Sequence, residues 1–325
     1  MRNYTVYYPC KVNSAKEVVA VINACGSSFE TDSIEMITHL LGQGICPNKI
    51  LYNYLVRSSD SIEKAVSFGV DNFAVDCKGD ALKILKCSPN AKFIVRVSIN
   101  ALTPHVVEAY TDDKWGADLG EARAIADCIL SHGGKLIGYS FYYPKEFNTV
   151  DRIFIAIKRL VDEFGENITI DIGGGISVAD ADEIAEKFPS LRGRLIMEPG
   201  RHLVGDVFDC RCSVIDVKER RGRKYVFLNV GIYSGFIDAV LKKHRFEIVT
   251  ELDYDGELEE VVVCGCTSDI SDTFGTYRLP SSALKEGVTL VIKNCGAYCP
   301  EMYTRFAGNP MNDNFILVKM LGGKS

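Results

Sequence analysis

The sequence predicts a (β/α)8 barrel followed by a smaller β domain. Through the first two-thirds of the chain, short apolar runs alternate with segments whose apolar residues recur every three or four positions, as in an amphipathic helix. Eight alternations suit a closed barrel, with a doubly wound open sheet as the alternative. After about Gly205 the apolar runs follow one another, separated only by turn sequences such as RRGR and DYDGE. We therefore expect a barrel over residues 1–205 and a β domain over residues 206–325.

The predicted elements follow from this pattern. The barrel strands are expected at residues 4–10, 27–30, 49–53, 72–75, 92–97, 135–141, 168–172 and 194–197. Helices are expected to include residues 14–24, 33–41, 59–68, 119–131, 150–164 and 179–187. Ser14, Asp32, Ser58 and Thr149 precede four of them and are predicted N-caps. Later strands are expected at residues 206–218, 224–230, 246–252, 258–264 and 288–293.

Composition excludes several classes of function. The 325 residues are 47% hydrophobic and 25% charged, as in an ordinary globular protein, and the net charge of −6 disfavours a nucleic-acid partner. No stretch approaches the roughly 20 apolar residues that span a bilayer. The first residues are too polar for a secretory signal, so we expect a cytoplasmic protein without a membrane partner.

Twelve cysteines are scattered along the chain, with two C-x-C pairs. In each pair, Cys210/Cys212 and Cys264/Cys266, the side chains are expected on one face of a strand. None of the five histidines stands at ligand spacing from them, so we expect free thiols and no metal site.

Two features follow predicted strands at the end of the barrel where such folds carry functional groups. Lys11, in YYPCKVN, could form a Schiff base with a carbonyl cofactor, although a lone lysine is usually just solvated. Gly173, Gly174 and Gly175, in IDIGGGIS, would let backbone N–H groups approach a phosphate, and the next helix would add its positive end. A flexible turn is the alternative for the glycines.

A third feature follows the eighth strand. In the sequence MEPGR, the carboxylate of Glu198 could pair with a protonated ring nitrogen and Arg201 could reach the phosphate. A surface ion pair is the alternative. In the second part, GCTSDISD (residues 265–272) and NCGAY (residues 294–298) follow apolar strands, although hairpin turns also account for them.

Together these motifs resemble the ornithine/diaminopimelate/arginine decarboxylase family, fold type III of the pyridoxal-phosphate enzymes, whose barrel is of the alanine racemase type. YYPCKVN resembles the cofactor-lysine motif, and IDIGGGIS and MEPGR resemble the glycine loop and the acid–arginine motif. SFETDSIEM, KWGAD and SFYYP resemble intervening elements. LNVGIYSGF, GCTSDISD and GAYCPEMYTRFAG resemble the family's β-domain motifs, in the same order.

The resemblance implies a carboxy-lyase with pyridoxal 5'-phosphate as cofactor. Lys11 would hold the cofactor covalently and Glu198 would face its ring nitrogen. The phosphate would be bound by Gly173–Gly175, Arg201 and Tyr298. The resemblance also implies a homodimer in which the catalytic residues Ser268 and Asp269 reach the neighbouring subunit's site. Substrate contacts would come from Tyr233, Asp238, Lys242 and Asp269.

The sequence departs from the family at three places. Tyr142 stands where a histidine normally stacks on the ring, followed by Tyr143, Pro144 and Lys145 in place of small residues; Lys145 could supply charge instead. Ser268 replaces a cysteine and is a much weaker acid, so we expect the final protonation to be slower or to fall to another group.

The third departure concerns the substrate. Lys242 replaces the aspartate that binds a distal ammonium, so we expect a substrate whose distal end is anionic or neutral. A solvated basic run is the alternative, and nearby Asp238 could still hold a cation. Because only ten residues precede Lys11, a trimmed β domain, or one completed by a partner, is also expected.

Two rival functions remain open at this point. A racemase of the related alanine-racemase group would favour an arginine at the ring nitrogen, where this chain has Glu198. A catalytically impaired, regulatory relative would fit the changes at Tyr142 and Ser268, but it would have little reason to keep a complete set of cofactor residues. An amino-acid decarboxylase is therefore the leading expectation.

Overall fold

The computed structural model describes residues 4–103, 114–143, 149–188, 195–308 and 315–317. The chain divides into two compact units, one of residues 1–11 and 15–202 and the other of residues 12–14 and 203–325. The sequence pattern did not indicate that residues 12–14 fold with the second unit. The division into domains at residue 205 remains our proposal.

The first unit is a closed barrel of eight parallel strands in sequence order. The strands are β1 (Tyr4–Pro9), β2 (Ser28–Thr31), β3 (Ile50–Tyr52), β4 (Asn72–Val75), β5 (Lys92–Arg96), β6 (Lys135–Ser140), β7 (Thr169–Asp171) and β8 (Leu195–Met197). Pairing of β1 with β8, with Val6 opposite Met197, closes the barrel. The predicted barrel is confirmed, and the doubly wound alternative is wrong because an open sheet would leave these two edges unpaired.

Helices connect the strands. They are α1 (Lys16–Ala24), α2 (Ile34–Gly42), α3 (Ser59–Ser67), α4 (Lys78–Cys87), α5 (Ile99–Leu102), α6 (Leu119–Ser131), α7 (Val150–Phe164), α8 (Val178–Lys187) and α9 (Arg201–Val204). The predicted N-caps Ser58 and Thr149 are confirmed, since their side chains accept from the backbone N–H of Ser61 and Arg152. The helix α4 was not among those named from the sequence.

Two predicted N-caps are wrong. The N-cap of α1 is Ala15 rather than Ser14, whose backbone N–H donates to the side chain of Glu301. The N-cap of α2 is Ser33, whose hydroxyl accepts from Met36 N at 3.1 Å, rather than Asp32. The carboxylate of Asp32 is instead paired with Lys11, which follows the neighbouring strand β1.

The barrel interior is apolar in its middle and polar toward the C-terminal ends of the strands. Leu51, Ile94 and Ile196 form a buried cluster, with Tyr7 and Ile137 packed against it. Successive side chains of a strand point to opposite faces, so residues two positions further along return to the same interior. On β3, β5 and β8 those residues are the polar Asn53, Arg96 and Glu198. The strands therefore carry polar groups to the C-terminal end of the barrel.

The second unit is built on a mixed sheet with strand order β11-β14-β9-β10-β12-β13, and β15 pairs with β9. The strands are β9 (Phe208–Arg220), β10 (Arg223–Leu228), β11 (Ile248–Thr250), β12 (Leu258–Cys264), β13 (Thr273–Pro280), β14 (Thr289–Ile292) and β15 (Phe315–Leu317). One short helix, α10 (Asp238–Leu241), interrupts it. The sequence did not indicate β13, β15 or this helix.

The cysteines are all free thiols in the described residues. Cys210 and Cys212 both face the buried core of the second unit, as predicted. The prediction for the other pair is wrong, because β12 ends at Cys264 and leaves Cys266 in the following turn. Within the described ranges, no three potential ligand side chains come together as a metal site, and no helix is long and apolar enough to cross a membrane.

Candidate active site

A layer of polar side chains occupies the C-terminal end of the barrel. By strand parity, each of the eight strands contributes one of them, at its last residues or just beyond. In strand order they are Lys11, Glu30, Asn53, Asp76, Arg96, Ser140, Asp171 and Glu198. Four carboxylates and two cations thus crowd together above the apolar cluster, which is an arrangement suited to holding a charged molecule.

At the ends of β1 and β2, the polar layer is organised around Lys11. Its Nζ lies 3.2 Å from Oε1 of Glu30 and 2.9 Å from Oδ2 of Asp32. Glu30 is fully buried, and its second oxygen has no hydrogen-bond partner. Partial burial lowers the pKa of Lys11, but the charges of Glu30, Asp32 and Glu198 outweigh this and raise that pKa above its usual range. The free amine is thereby held as an ammonium.

Glu198 directly follows β8, the strand that pairs with β1 on the side away from β2. Its Oε1 accepts a 3.1 Å hydrogen bond from Asn53 Nδ2, and its carboxyl group is hydrogen-bonded to Asp171. Shielding from water and the charge of Asp171 raise the pKa of Glu198 well above its usual value, although Lys11 and Arg96 oppose this. Burial likewise raises the pKa of Asp171 to about 6, against a hydrogen bond from the N–H of Gly173.

The glycine loop has little room for side chains. A Cβ on Gly173 would lie 2.9 Å from the carbonyl oxygen of Phe141, and one on Gly174 would lie 2.7 Å from the carbonyl oxygen of Glu198. Gly173 and Gly175 also have φ of +68° and +83°, in the left-handed region that favours glycine. The loop therefore lies tightly against the ends of β6 and β8.

Tyr142 borders this loop. Its Cδ2 would be 3.5 Å from a Cβ on Gly173, and its side chain is 41% exposed, so the ring lies open beside the glycines. The next residue, Tyr143, is fully buried and its hydroxyl is 2.8 Å from Oγ1 of Thr103. Arg201 begins α9, three residues after Glu198. Pro144 and Lys145 lie outside the described residues.

The second unit carries the remaining predicted site residues on its loops. The hydroxyl of Tyr233 is hydrogen-bonded to Asp269, and its ring lies 4.4 Å from that of Phe306. Burial, and then the charge of Asp269, raise the pKa of Tyr233. Ser268 is exposed, and Ile270 is 95% exposed. The structure therefore brings Tyr233 and Asp269 together and leaves Ser268 facing outward.

Asp238 and Lys242 are paired with each other. Lys242 Nζ lies 3.3 Å from Oδ1 of Asp238, which is buried, and 5.1 Å from the ring centroid of Tyr298. Tyr298 adopts φ of +70°, and its backbone N–H donates to the carbonyl of Val12 at 2.6 Å. The three residues thus form one cluster, in which the charge of the lysine is partly balanced by a buried carboxylate.

Asp272 organises the loops around Tyr233 and Ser268. It is 1% exposed, and its carboxylate accepts from Ile232 N at 2.7 Å and from both the N–H and the hydroxyl of Thr267. This residue was not singled out from the sequence. The sequence gives only an indirect indication of its role. A buried aspartate in a turn needs several hydrogen-bond donors to offset the cost of removing its carboxylate from water.

The sequence reasoning also missed most of the polar layer of the barrel. Glu30, Asp32 and Asn53 follow apolar strands, and Asp171 and Arg96 end two others. The sequence did contain a signal for them. The polar residues lie at the ends of strands, at positions where the alternation of side chains along the strand directs them into the barrel. That signal becomes specific only when the barrel closes and brings all eight ends together.

Comparison with known proteins identifies the family of the chain that carries this polar layer. Residues 1–205 match the model of the pyridoxal-dependent decarboxylase family, specifically its pyridoxal binding domain. The chain belongs to the pyridoxal-dependent decarboxylases. Ornithine decarboxylase 2 of Drosophila melanogaster is 29% identical over 336 residues, covering 93% of this chain and 82% of that protein. The diaminopimelate decarboxylase of Methanothermobacter thermautotrophicus is 25% identical over 342 residues, covering 94% and 78%.

Solved structures agree on the fold of this decarboxylase. The arginine decarboxylase of Paramecium bursaria Chlorella virus superposes with a TM-score of 0.84 at 23% identity, covering 94% of this chain and 87% of that one. The predicted family, its cofactor and its activity as an amino-acid decarboxylase are thus confirmed. The matched family model therefore favours a decarboxylase over a racemase.

The polar layer of this decarboxylase fits a pyridoxal cofactor. Three buried polar atoms there have no hydrogen-bond partner: Glu30 Oε2, Asn53 Oδ1 and Ser140 Oγ. Gly173 and Gly174 add a close-lying backbone in which any Cβ would collide. When bound, the cofactor supplies an electron sink for the electron pair left behind as the α-carboxylate departs as carbon dioxide.

Proposed function

We propose that this decarboxylase acts on an amino acid at the C-terminal end of its barrel, with Lys11 as the residue that carries the cofactor. The observation that carries the proposal is the pairing of Lys11 with Glu30 and Asp32 within a polar layer that also contains Glu198. A lysine that reacts through its amine must lie beside groups that control its protonation. An ordinary surface lysine is solvated by water and is not expected to contact two carboxylates of which one is buried.

The other barrel residues take roles that follow from their chemistry. Glu198, held by Asn53, is proposed to pair as a carboxylate with the protonated ring nitrogen, because the positive charge of the ring would offset the cost of burying the carboxylate. The loop of Gly173, Gly174 and Gly175 is proposed to bind the phosphate through the backbone of Gly174 and Gly175, since the N–H of Gly173 donates to Asp171 and backbone N–H groups on a glycine loop favour anions. Arg201 and Tyr298 are proposed to join them, and Tyr142 to cover the ring face.

The test of this assignment is chemical trapping. The purified chain is incubated with pyridoxal 5'-phosphate, reduced with borohydride and mapped by peptide mass spectrometry. We expect the label on Lys11, and K11A to lose both the label and carbon dioxide release. Lys92, which forms a comparable 2.7 Å ion pair with Asp71 on the barrel, provides the matched control K92A. Labelling of another lysine would contradict the assignment.

We further propose that the substrate's distal group is not a cation. The support is the position of Lys242, whose side chain is 56% exposed and whose ammonium would repel a second ammonium. Buried Asp238 holds this lysine rather than standing free for a substrate amine. Tyr233 and Asp269 are proposed as further substrate contacts.

A substrate panel tests this specificity. Carbon dioxide release from ornithine, lysine and arginine is compared with release from amino acids whose distal group is a carboxylate or an amide. We expect the second group to be faster in the native enzyme and K242D to shift the preference toward ornithine. K243D, which changes the same charge one residue further along, is the control. Fast turnover of ornithine alone by the native enzyme would rule the proposal out.

We propose that the enzyme is a homodimer with shared active sites. The support is Ile270, which is 95% exposed between the predicted catalytic pair Ser268–Asp269 and buried Asp272, because a large apolar side chain beside site residues is typical of an interface. Sedimentation should give a dimer for the native chain and a monomer for I270D. Mixing K11A with D269A subunits should restore part of the activity, since one of the two sites in each mixed dimer would be intact.

We also infer a cytoplasmic location. The support is the set of twelve free cysteines, six of them at least partly accessible, because thiols persist where the redox environment is reducing. Cell fractionation followed by immunoblotting would test this, and recovery in the secreted fraction would contradict it.

A further inference from the structure

Asp32 contacts Lys11 directly, and the proposed function gives it no chemical role of its own. It follows β2 two positions after Glu30, so the two side chains leave the strand on the same side and both reach the same ammonium. The ion pair is close, with 2.9 Å between Lys11 Nζ and Asp32 Oδ2. Asp32 is free for this contact because Ser33, rather than Asp32, caps α2.

The two carboxylates differ in their surroundings. Glu30 is fully buried, and burial together with neighbouring carboxylates raises its pKa well above the usual value, although the charge of Lys11 opposes this. The side chain of Asp32 is 33% exposed, so water stabilises its charge. Asp32 is therefore the solvent-exposed member of the two carboxylates that contact the lysine.

We propose that Asp32 is a positioning residue that holds the free ammonium of Lys11 and thereby sets the pH at which this amine becomes able to react with a carbonyl. The proposal rests on the proposed function, in that Lys11 is taken as the cofactor lysine. The amine reacts through its lone pair, so the ammonium must first release one proton to water. The nitrogen then bonds to the carbonyl carbon, and the carbonyl oxygen leaves as one water molecule.

The charges that face Lys11 come from several strand ends. Glu30 and Asp32 contact it from β2, and Glu198 acts on it from β8. Asp171 on β7 and Arg96 on β5 act in turn on Glu198, with opposite signs. Removing the charge of Asp32 leaves all of these in place, so its effect on the lysine can be measured by itself.

The experiment measures the ionisation of Lys11 directly. The full chain, freed of carbonyl cofactor by dialysis against hydroxylamine, is exposed to trace acetic anhydride across a pH series, and acetylation of Lys11 is quantified by mass spectrometry. The native chain is compared with D32N and D32S, which remove the charge, and with D32E, which keeps it. D71N is the matched control, because Asp71 forms a 2.7 Å ion pair with Lys92 at similar exposure.

We expect D32N and D32S to lower the midpoint pH of Lys11 acetylation by about one pH unit or more, which is about a tenfold larger fraction of neutral amine at pH 7.5. Capture of pyridoxal 5'-phosphate at that pH should be faster by a similar factor. D32E should behave like the native chain, and D71N should leave Lys11 unchanged.

The outcomes separate this inference from the proposed function. If pyridoxal 5'-phosphate is trapped on Lys11 but the midpoint is unchanged or higher in both D32N and D32S, the role of Asp32 is refuted and the cofactor lysine stands. If trapping occurs on another lysine, the proposed function fails whatever the midpoint of Lys11. Circular dichroism of each variant shows that the comparison is between folded proteins.

Discussion

Asn53 donates a hydrogen bond of 3.1 Å from Nδ2 to Oε1 of Glu198, joining the end of the third barrel strand to the end of the eighth. The Oδ1 atom of the same amide is buried without a partner. One oxygen of Glu198 is thus held by a neutral donor while the carboxyl group also contacts Asp171. This relationship fixes the carboxyl group that we assign to the cofactor ring.

Replacing Glu198 by glutamine separates its catalytic role from its effect on stability. In E198Q the amide can still accept from Asn53 and can donate to Asp171, while the repulsion between two buried acids is removed. We expect decarboxylation to fall by about 100-fold or more, a typical loss for one preorganised electrostatic group. The thermal midpoint should stay equal or rise. E163Q, at an exposed ion pair with Arg123, should change neither quantity, and an active E198Q enzyme would refute the assignment.

Asp171 predicts a pH-dependent effect on stability. Burial raises its pKa to about 6 in the folded chain, compared with 3.8 in its absence. Folding therefore disfavours the ionised form, so the carboxylate destabilises the native state above about pH 6, and the penalty disappears as the pH falls toward 4. D171N should be more stable than the native chain at pH 8, by roughly 2–3 kcal/mol, and no more stable at pH 4.

Urea unfolding of D171N and the native chain at pH 8, 6 and 4 would measure this difference. The asparagine keeps an oxygen that can accept from Gly173 N, so the turn is preserved. D151N, at an exposed aspartate paired with Lys187, serves as the control. A stability advantage of D171N that is the same at all three pH values would contradict the explanation.

We predict that a side chain at Gly174 weakens cofactor binding through a steric clash. An added Cβ would lie 2.7 Å from the carbonyl oxygen of Glu198, so either the glycine loop or the chain after β8 must move. We expect G174A to bind pyridoxal 5'-phosphate at least about tenfold more weakly, as measured by absorbance titration. In G79A the new methyl group meets nothing within 4 Å, so binding should be unchanged. Equal binding by the two variants would show that the loop does not approach the phosphate.

We predict that replacing Ser268 by cysteine changes the ratio of the reaction products. A serine hydroxyl is a far weaker acid than a thiol, so protonation of the product carbon is expected to be slow or misdirected in the native enzyme. S268C should raise the ratio of amine to carbonyl product, measured by mass spectrometry on the same substrate. S271C, at a neighbouring exposed serine, is the control for adding a thiol. An unchanged ratio in S268C would indicate that another group delivers the proton.

Much of the barrel could be predicted because its information is local. Alternating apolar and amphipathic segments specify eight strand–helix units, and all eight strands lie within a few residues of their predicted bounds. The short strand β15 and the helix α10 escaped prediction because three- and four-residue elements carry almost no periodic signal. The strand β13 was missed because the polar residues of its sequence TFGTYRLP obscure the alternation.

The same contrast holds for the site. Lys11, the three glycines and Glu198 could be named from the sequence because each stands in a motif next to a strand end, although their roles stay predictions. Asp32 was read as a helix cap, which is the local role for an aspartate in that position. Only the closed barrel shows that Ser33 takes the cap and that Asp32 faces Lys11 from the neighbouring strand.

By itself, then, the sequence determined the barrel, the family and the cofactor, because periodicity and motifs are properties of neighbouring residues. Tertiary structure decided which charges meet. Lys11 and Asp32 are 21 positions apart, and Asn53 and Glu198 are 145 apart, yet parallel pairing and barrel closure bring each pair within hydrogen-bond distance. Electrostatic energy depends on distance in space and on burial, and neither can be read from separation along the chain.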